Sequence, residues 1–188
     1  MVATLQHDPR TAEVIYRRAE IDAAIARQAA LINARYAGER LLVLPVMTGA
    51  LVYAGQLLPQ LDVELELDYV HATRYDGARS GGGLTWLVRP RQPVVGRKIL
   101  LLDDILDEGV TLQQIRVWLL AAGASEVAIA VLVHKHKPTP QPCAADFPAL
   151  IVPDRYVYGF GLDADGLWRN ADGIFAAPEV GHVAHVDY

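Results

Sequence analysis

Cysteine is nearly absent from this chain of 188 residues: Cys143 stands alone, so no disulfide can close within it. Long apolar runs are missing as well. The longest, such as Ala128 to Val133, have the length of a strand and fall far short of the roughly 20 residues a membrane helix needs. The first residues, "MVATLQHDPR", lack the basic-then-apolar layout of a secretory signal, which gives a cytoplasmic expectation. Positive charge is not in excess: 17 Lys and Arg against 22 Asp and Glu leave a net charge of -5, so nothing favours bulk binding to nucleic acid or to a membrane surface. Low-complexity tracts, internal repeats and interdomain linkers are also lacking. With 52% apolar and 21% charged residues, the chain suits one globular domain over 1–188 that binds small molecules. A domain of that size buries roughly 70% of its unfolded surface, enough for a full core.

The patterning is that of alternating helices and strands. "EIDAAIARQAALINARY" (Glu20 to Tyr36) sets Ile21, Ala24, Ile25, Gln28, Leu31, Ile32 and Tyr36 mostly on one helical face, and Gly38 stops it. "RLLVLPV" (Arg40 to Val46) is a short unbroken apolar run, as in a strand covered on both faces, and "GALVYAGQLLPQL" continues as a helix. "DVELELDY" (Asp62 to Tyr69) alternates acid with apolar, predicting a strand with one wet face. "RYDGARSGGGLTW" has the most glycines in the chain and predicts a mobile loop, about residues 74–85, between two strands. The pattern then repeats: a strand over Lys98 to Leu102, a helix from about Val110 to Ala122 ending at Gly123, a strand over Val127 to Val133, and short strands near Leu150 and Val157. Between them, Pro138 to Pro148 reads as a Pro-rich surface connection. Strands alternating with helices imply an α/β fold, a mainly parallel sheet with right-handed crossovers.

The chemistry concentrates in "LLLDDILDEGVT" (Leu100 to Thr111), where a buried strand runs into a short loop and a helix start. Ligands of open parallel sheets sit beyond the carboxyl ends of strands, where Asp103 and Asp104 stand. A helix start attracts anions, yet four residues here are acids. A solvated acidic turn with a helix cap, or a metal-dependent acidic pocket, would account for the carboxylates but give Glu108-Gly109-Val110-Thr111 no task. A ligand bearing both a phosphate and sugar hydroxyls uses every part. The N–H groups of Glu108, Gly109, Val110 and Thr111 and the Thr111 hydroxyl hold phosphate, while Asp103 and Asp104 accept from hydroxyls.

This stretch resembles the phosphoribosyl-pyrophosphate signature of the type I phosphoribosyltransferases. "PDRYVYGFGLDADGLWRN" (Pro153 to Asn170) resembles the purine-binding and C-terminal segment of the hypoxanthine-guanine members, and "LVHKHKP" their purine-reading strand end. "PVMTGAL" (Pro45 to Leu51) is similar to their pyrophosphate loop. The likeness spans about Arg40 to Ile174, with a core of about 40–175. It implies the type I phosphoribosyltransferase fold, with a central mainly parallel sheet flanked by helices, a small hood and a mobile glycine-rich lid over the site.

The resemblance also implies roles. Asp107 matches the catalytic acid beside N7 of the purine, where a carboxylate can hold or remove the N7 proton as N9 attacks the sugar. Lys135 matches the donor to the 6-oxo group, Tyr156 the ring that stacks on the purine, and Val157 the residue whose backbone meets the base edge. Thr48, Gly49 and Arg169 match pyrophosphate contacts, and a cis peptide is expected at Met47–Thr48. Asp103, Asp104 and Asp163 match acids near magnesium, which stabilises the departing pyrophosphate. His134 and His136 read as surface residues. Implied partners are 5-phospho-α-D-ribose 1-diphosphate and a 6-oxopurine, in a homodimer or homotetramer. Three departures bear on affinity and range: Thr48 where relatives commonly have Lys or Arg, Glu108 where Ser or Thr is usual, and Arg74-Tyr75 where Ser-Tyr is usual. A xanthine-preferring enzyme and a ligand-sensing regulator on the same fold are the alternatives.

Overall fold

Unbroken apolar runs form the centre of the molecule, because a strand covered by helices on both faces must bury every side chain. The computed structural model describes residues 8–74 and 84–177. Its largest sheet has β2 (Arg40–Pro45), β6 (Lys98–Leu106) and β7 (Glu126–Lys135) in the middle, with β3 (Glu64–Leu67) and β8 (Phe147–Val152) at the edges. The order is β3-β2-β6-β7-β8. Every neighbouring pair is parallel, as the strand–helix alternation implies.

The period of two in a strand divides the core. Leu41, Val43 and Leu100 turn to the face covered by α1 (Arg18–Arg35) and α2 (Ala50–Leu57). Leu42, Leu44 and Ile99 turn to the other, where α3 (Val110–Ala121) packs Leu112, Ile115 and Leu119. Among the described residues no helix is long and apolar enough to cross a membrane.

Two small antiparallel sheets complete the fold. The hood expected from the resemblance is β1 (Glu13–Arg17), β10 (Gly173–Ala176) and β9 (Val157–Tyr158), paired in that order. The other is β4 (His71–Arg74) against β5 (Leu84–Val88). These two strands flank the glycine-rich segment expected as a mobile lid, most of which lies outside the described residues.

Several boundaries differ from the sequence expectation. α1 begins at Arg18 rather than Glu20, because the Glu20 carboxylate accepts a hydrogen bond from the Arg17 N–H at 2.9 Å and so caps the first turn. β3 buries its apolar face only in part: Leu65, with Val63 just before the strand, packs against the core but Leu67 is exposed, and the strand sits at the sheet edge with its acids paired to neighbours, Glu64 with Arg40 and Glu66 with Arg97. β6 and β7 run past Leu102 and Val133, since their ladder continues to Leu106 opposite His134.

From β2 the chain moves outward to β3, whereas from β6 it moves the other way to β7 and β8. The carboxyl ends of β2 and β6 therefore part, leaving a crevice at the point where the winding reverses.

Candidate active site

The loop that leaves β2 forms one wall of this crevice. Val46 N–H donates to the Leu102 carbonyl at 2.8 Å and Met47 N–H to the Val70 carbonyl at 2.7 Å. The Met47–Thr48 peptide is cis, as expected. Thr48 is exposed, and Gly49 lies so close to Asp104 that a Cβ would overlap its carboxylate. Gly49→Ala is therefore expected to destabilise the fold by about 1–3 kcal/mol, the usual range for overpacking. Denaturant unfolding measures this, and unchanged stability would mean that Asp104 can move aside.

Asp103 and Asp104 belong to β6 itself, not to a loop after it. The pairing of β6 with β2 ends at Leu102 opposite Pro45, so both acids project into the opening while their other edge stays paired with β7. Asp104 is buried and Asp103 half-buried, and the Asp104 N–H donates to Asp103 Oδ1 at 2.9 Å. Burial raises both carboxyls above their ordinary range, and the charge of Asp104 raises Asp103 further. At Asp104 the rise is tempered by its bond with Asp103 and by Arg169, whose guanidinium is 3.9 Å away.

The chain then turns sharply into α3. Gly109 caps the helix with φ +74°, a left-handed conformation that suits glycine, and a Cβ there would crowd Leu106 and Cys143. The first-turn N–H groups have no partner within the helix and carry its positive end. Val110 opens the helix, Thr111 is half-buried and Glu108 exposed. Val46, Ala72, Asp103, Asp104, Asp107, Glu108, Gly109 and Thr111 line a cleft of about 240 Å³.

A second cleft of about 200 Å³ adjoins it, lined by Lys135, Tyr156, Val157, Leu162 and Asp163 and sharing Asp104, Ile105 and Asp107 with the first. Lys135 ends β7, is buried, and holds Asp107 Oδ2 at 2.6 Å. Lys137 stands 2.7 Å from Oδ1. Burial alone would raise the Asp107 carboxyl, but the two ammonium groups outweigh it and hold the group below the usual carboxylate range.

The outer wall comes from the hood and the chain that follows β9. Val157 is buried in β9, while half-exposed Tyr156 donates its hydroxyl to the Asp163 carbonyl at 3.2 Å. Arg169 donates to the Gly161 carbonyl at 2.7 Å and pairs with Asp163 Oδ1 at 2.6 Å, while the Gly166 N–H bonds Asp163 Oδ2 at 2.8 Å. Among the described residues no three His, Cys, Asp or Glu side chains converge as a metal cage. Asp103 and Asp104 nonetheless offer oxygen donors only, in a buried like-charged pair that a hard cation would relieve. The remaining coordination would fall to ligand oxygens and water.

The structure thus gathers Asp103, Asp104, Asp107 and the α3 start on one side and Lys135, Tyr156, Val157 and Asp163 on the other, with Gly49 and Arg169 beside Asp104, while Thr48 is exposed and lines neither cleft. His136 is exposed, but His134 is half-buried, with its Nε2 2.8 Å from Gln141 Oε1. The Pro138–Pro148 connection corrects the sequence reading, for it is not merely surface. Gln141 Nε2 donates to the Asp107 carbonyl and at 3.3 Å to the Lys135 carbonyl, and buried Cys143 donates to the Gly109 carbonyl at 3.3 Å. Lys137 was missed, although "HKHK" carried a signal for it, since alternate residues at a strand end share a face. Gln141 and Cys143 follow no periodic pattern.

The family model of the phosphoribosyl transferase domain matches residues 12–162. The hypoxanthine-guanine-xanthine phosphoribosyltransferase of Tritrichomonas foetus is 30% identical over 160 residues, covering 84% of this chain and 86% of that protein. The hypoxanthine-guanine phosphoribosyltransferase of Streptococcus thermophilus is 31% identical over 136 residues, covering 72% and 76%. Among solved structures, a ternary substrates complex of hypoxanthine phosphoribosyltransferase from Trypanosoma cruzi superposes with a TM-score of 0.84 at 25% identity, covering 91% of this chain and 98% of that one. Matched over most of its length by the domain model and by these relatives, the chain belongs to the phosphoribosyltransferase family, in its hypoxanthine-guanine group.

Proposed function

We propose that the protein joins hypoxanthine or guanine to 5-phospho-α-D-ribose 1-diphosphate, releasing diphosphate and forming IMP or GMP. The observation that carries this reading is the pair of adjoining clefts with Asp107 in their shared wall, so that a sugar on one side and a base on the other would meet there. The names of the relatives support the same substrates.

In this reading the N–H groups of Glu108, Gly109, Val110 and Thr111, with the Thr111 hydroxyl, hold the 5'-phosphate. Asp103 and Asp104 accept from ribose hydroxyls, and Thr48, Gly49 and Arg169 face the diphosphate. Lys135 donates to the 6-oxo oxygen, Tyr156 stacks on the purine and the Val157 backbone meets its edge. Asp107, kept ionised by its two ammonium neighbours, receives or holds the N7 proton as N9 bonds to the sugar. Asp103 and Asp104 would hold magnesium, which when bound would supply charge neutralisation for the leaving diphosphate. Asp163 would bind a second ion only by loosening its pair with Arg169.

A steady-state panel of hypoxanthine, guanine, xanthine and adenine with the donor and magnesium tests the reading. The 6-oxopurines are expected to react and adenine to fail, because its amino group cannot accept from Lys135. Lys135→Ala is expected to lower kcat/KM for the 6-oxopurines by about 10- to 100-fold, the range for a lost charged hydrogen bond, with donor KM little changed. Efficient use of adenine, or equal losses for base and donor, would remove Lys135 from base reading. Donor binding without nucleotide formation would instead identify a sensing regulator.

A further inference from the structure

We propose that Lys137 is a positioning residue for Asp107, fixing its carboxylate from behind so that Lys135 keeps donors for the purine; this rests on the transfer reaction proposed above. The Asp107 side chain is 39% exposed, yet its Oδ1 is sealed from solvent, so the open side of the group is not Oδ1. Lys137 Nζ lies 2.7 Å from that sealed oxygen, with its own side chain only 18% exposed. Lys135 holds Oδ2, the oxygen left for the cleft, at 2.6 Å. Lys137 thus approaches from the side away from the base and is not a stand-in for the base's N7 proton.

A single lysine could not perform both tasks well. An ammonium has three N–H donors and no acceptor. If Lys135 were the sole cation on Asp107, it would have to orient the carboxylate, neutralise it and still aim a donor at the base. With a hydrogen bond from Lys135 at one oxygen and the Lys137 ion pair at the other, the carboxylate is held from both sides, and Lys135 can direct a remaining N–H into the second cleft.

The segment carrying Lys137 is itself anchored to the loop it serves. Gln141 bonds the carbonyls of Asp107 and Lys135, and Cys143 that of Gly109. Asp154, 3.7 Å away, gives Lys137 a second anionic neighbour that keeps the ammonium in place. The charge of Asp107 also raises the Lys137 pKa, consistent with a pair that persists across the neutral range.

Steady-state kinetics of the full chain with hypoxanthine, donor and magnesium test the proposal, using Lys137→Met and Lys137→Arg beside the unaltered protein. Lys137→Met is expected to lower kcat/KM for hypoxanthine by about tenfold or more and to leave donor KM within about twofold, with Lys137→Arg recovering most of the loss. A general fold defect would damage donor and base alike and would not respond to the choice of cation. Unchanged kinetics in Lys137→Met, equal damage to donor and base, or Lys137→Arg no better than Lys137→Met would each overturn the assignment while leaving the functional reading intact. An unaltered protein that forms no nucleotide would overturn both.

Discussion

Asp107→Asn is expected to lower turnover with hypoxanthine by about 10²-fold or more, the range for losing a general acid or base, while donor KM changes little. An amide cannot take the N7 proton, and its NH₂ group would face an ammonium instead of pairing with it. The substitution also bears on stability. Because the folded carboxyl lies below its ordinary value, the charged form adds stability above the unfolded-state pKa and loses it as pH falls through the lowered folded value. Asp107→Asn is thus expected to lower the melting temperature at neutral pH, with the gap to the unaltered protein closing as the medium becomes strongly acidic. Near-normal turnover would take Asp107 out of the chemistry whatever the melting temperature did.

The double replacement Asp103→Asn, Asp104→Asn is expected to weaken donor binding by about tenfold or more and at the same time to stabilise the free protein. A simple charge argument forecasts tighter binding, since two negative charges beside an anionic ligand disappear. A lost charge-assisted hydrogen bond typically costs about 1.5–3 kcal/mol, however, and any magnesium held by the pair is lost with it. The stability effect has the opposite sign to that at Asp107. Both carboxyls are raised by burial, so they favour the fold below their unfolded-state pKa and lose that contribution as pH rises through the raised folded values. Above those raised values the charged carboxyls are a burden that the amides remove. Calorimetric titration with the donor and magnesium, beside thermal unfolding without them, reads the two effects separately. Tighter donor binding would mean that the acids only repel, and the sugar-facing role would have to be abandoned.

Much of this site can be traced in the sequence because its donor half is local. Asp103, Asp104, Asp107, Gly109 and Thr111 lie on one continuous strand, turn and helix, so the order of residue types carries the geometry. The base half is different. Tyr156 and Val157 look like core aromatic and aliphatic residues until the turn after β8 brings them opposite Lys135. Gln141 and Cys143 are set by a connection without periodicity, and their inward turn depends on backbone carbonyls whose need for donors no pattern of side chains reveals. The length of β6 was missed for a related reason. Two adjacent acids look like the end of a buried strand, yet one neighbour, β7, suffices to continue the ladder past them.

The hood ties base recognition to a distant part of the chain. β9, which carries Val157, pairs only through its final strand partner with β1, whose register joins Glu13 to Ala176 and Arg17 to Gly173. Closing such a contact requires ordering a loop that spans most of the polypeptide, whereas the acidic wall of the donor cleft, from Asp103 to Thr111, forms within a dozen residues. The two halves of the site therefore differ in how easily they come apart. If the proposed roles hold, a modest loosening of the first strand would blur the choice of base while the phosphoribosyl cradle still held its ligand, leaving fidelity less robust than the grip on the sugar.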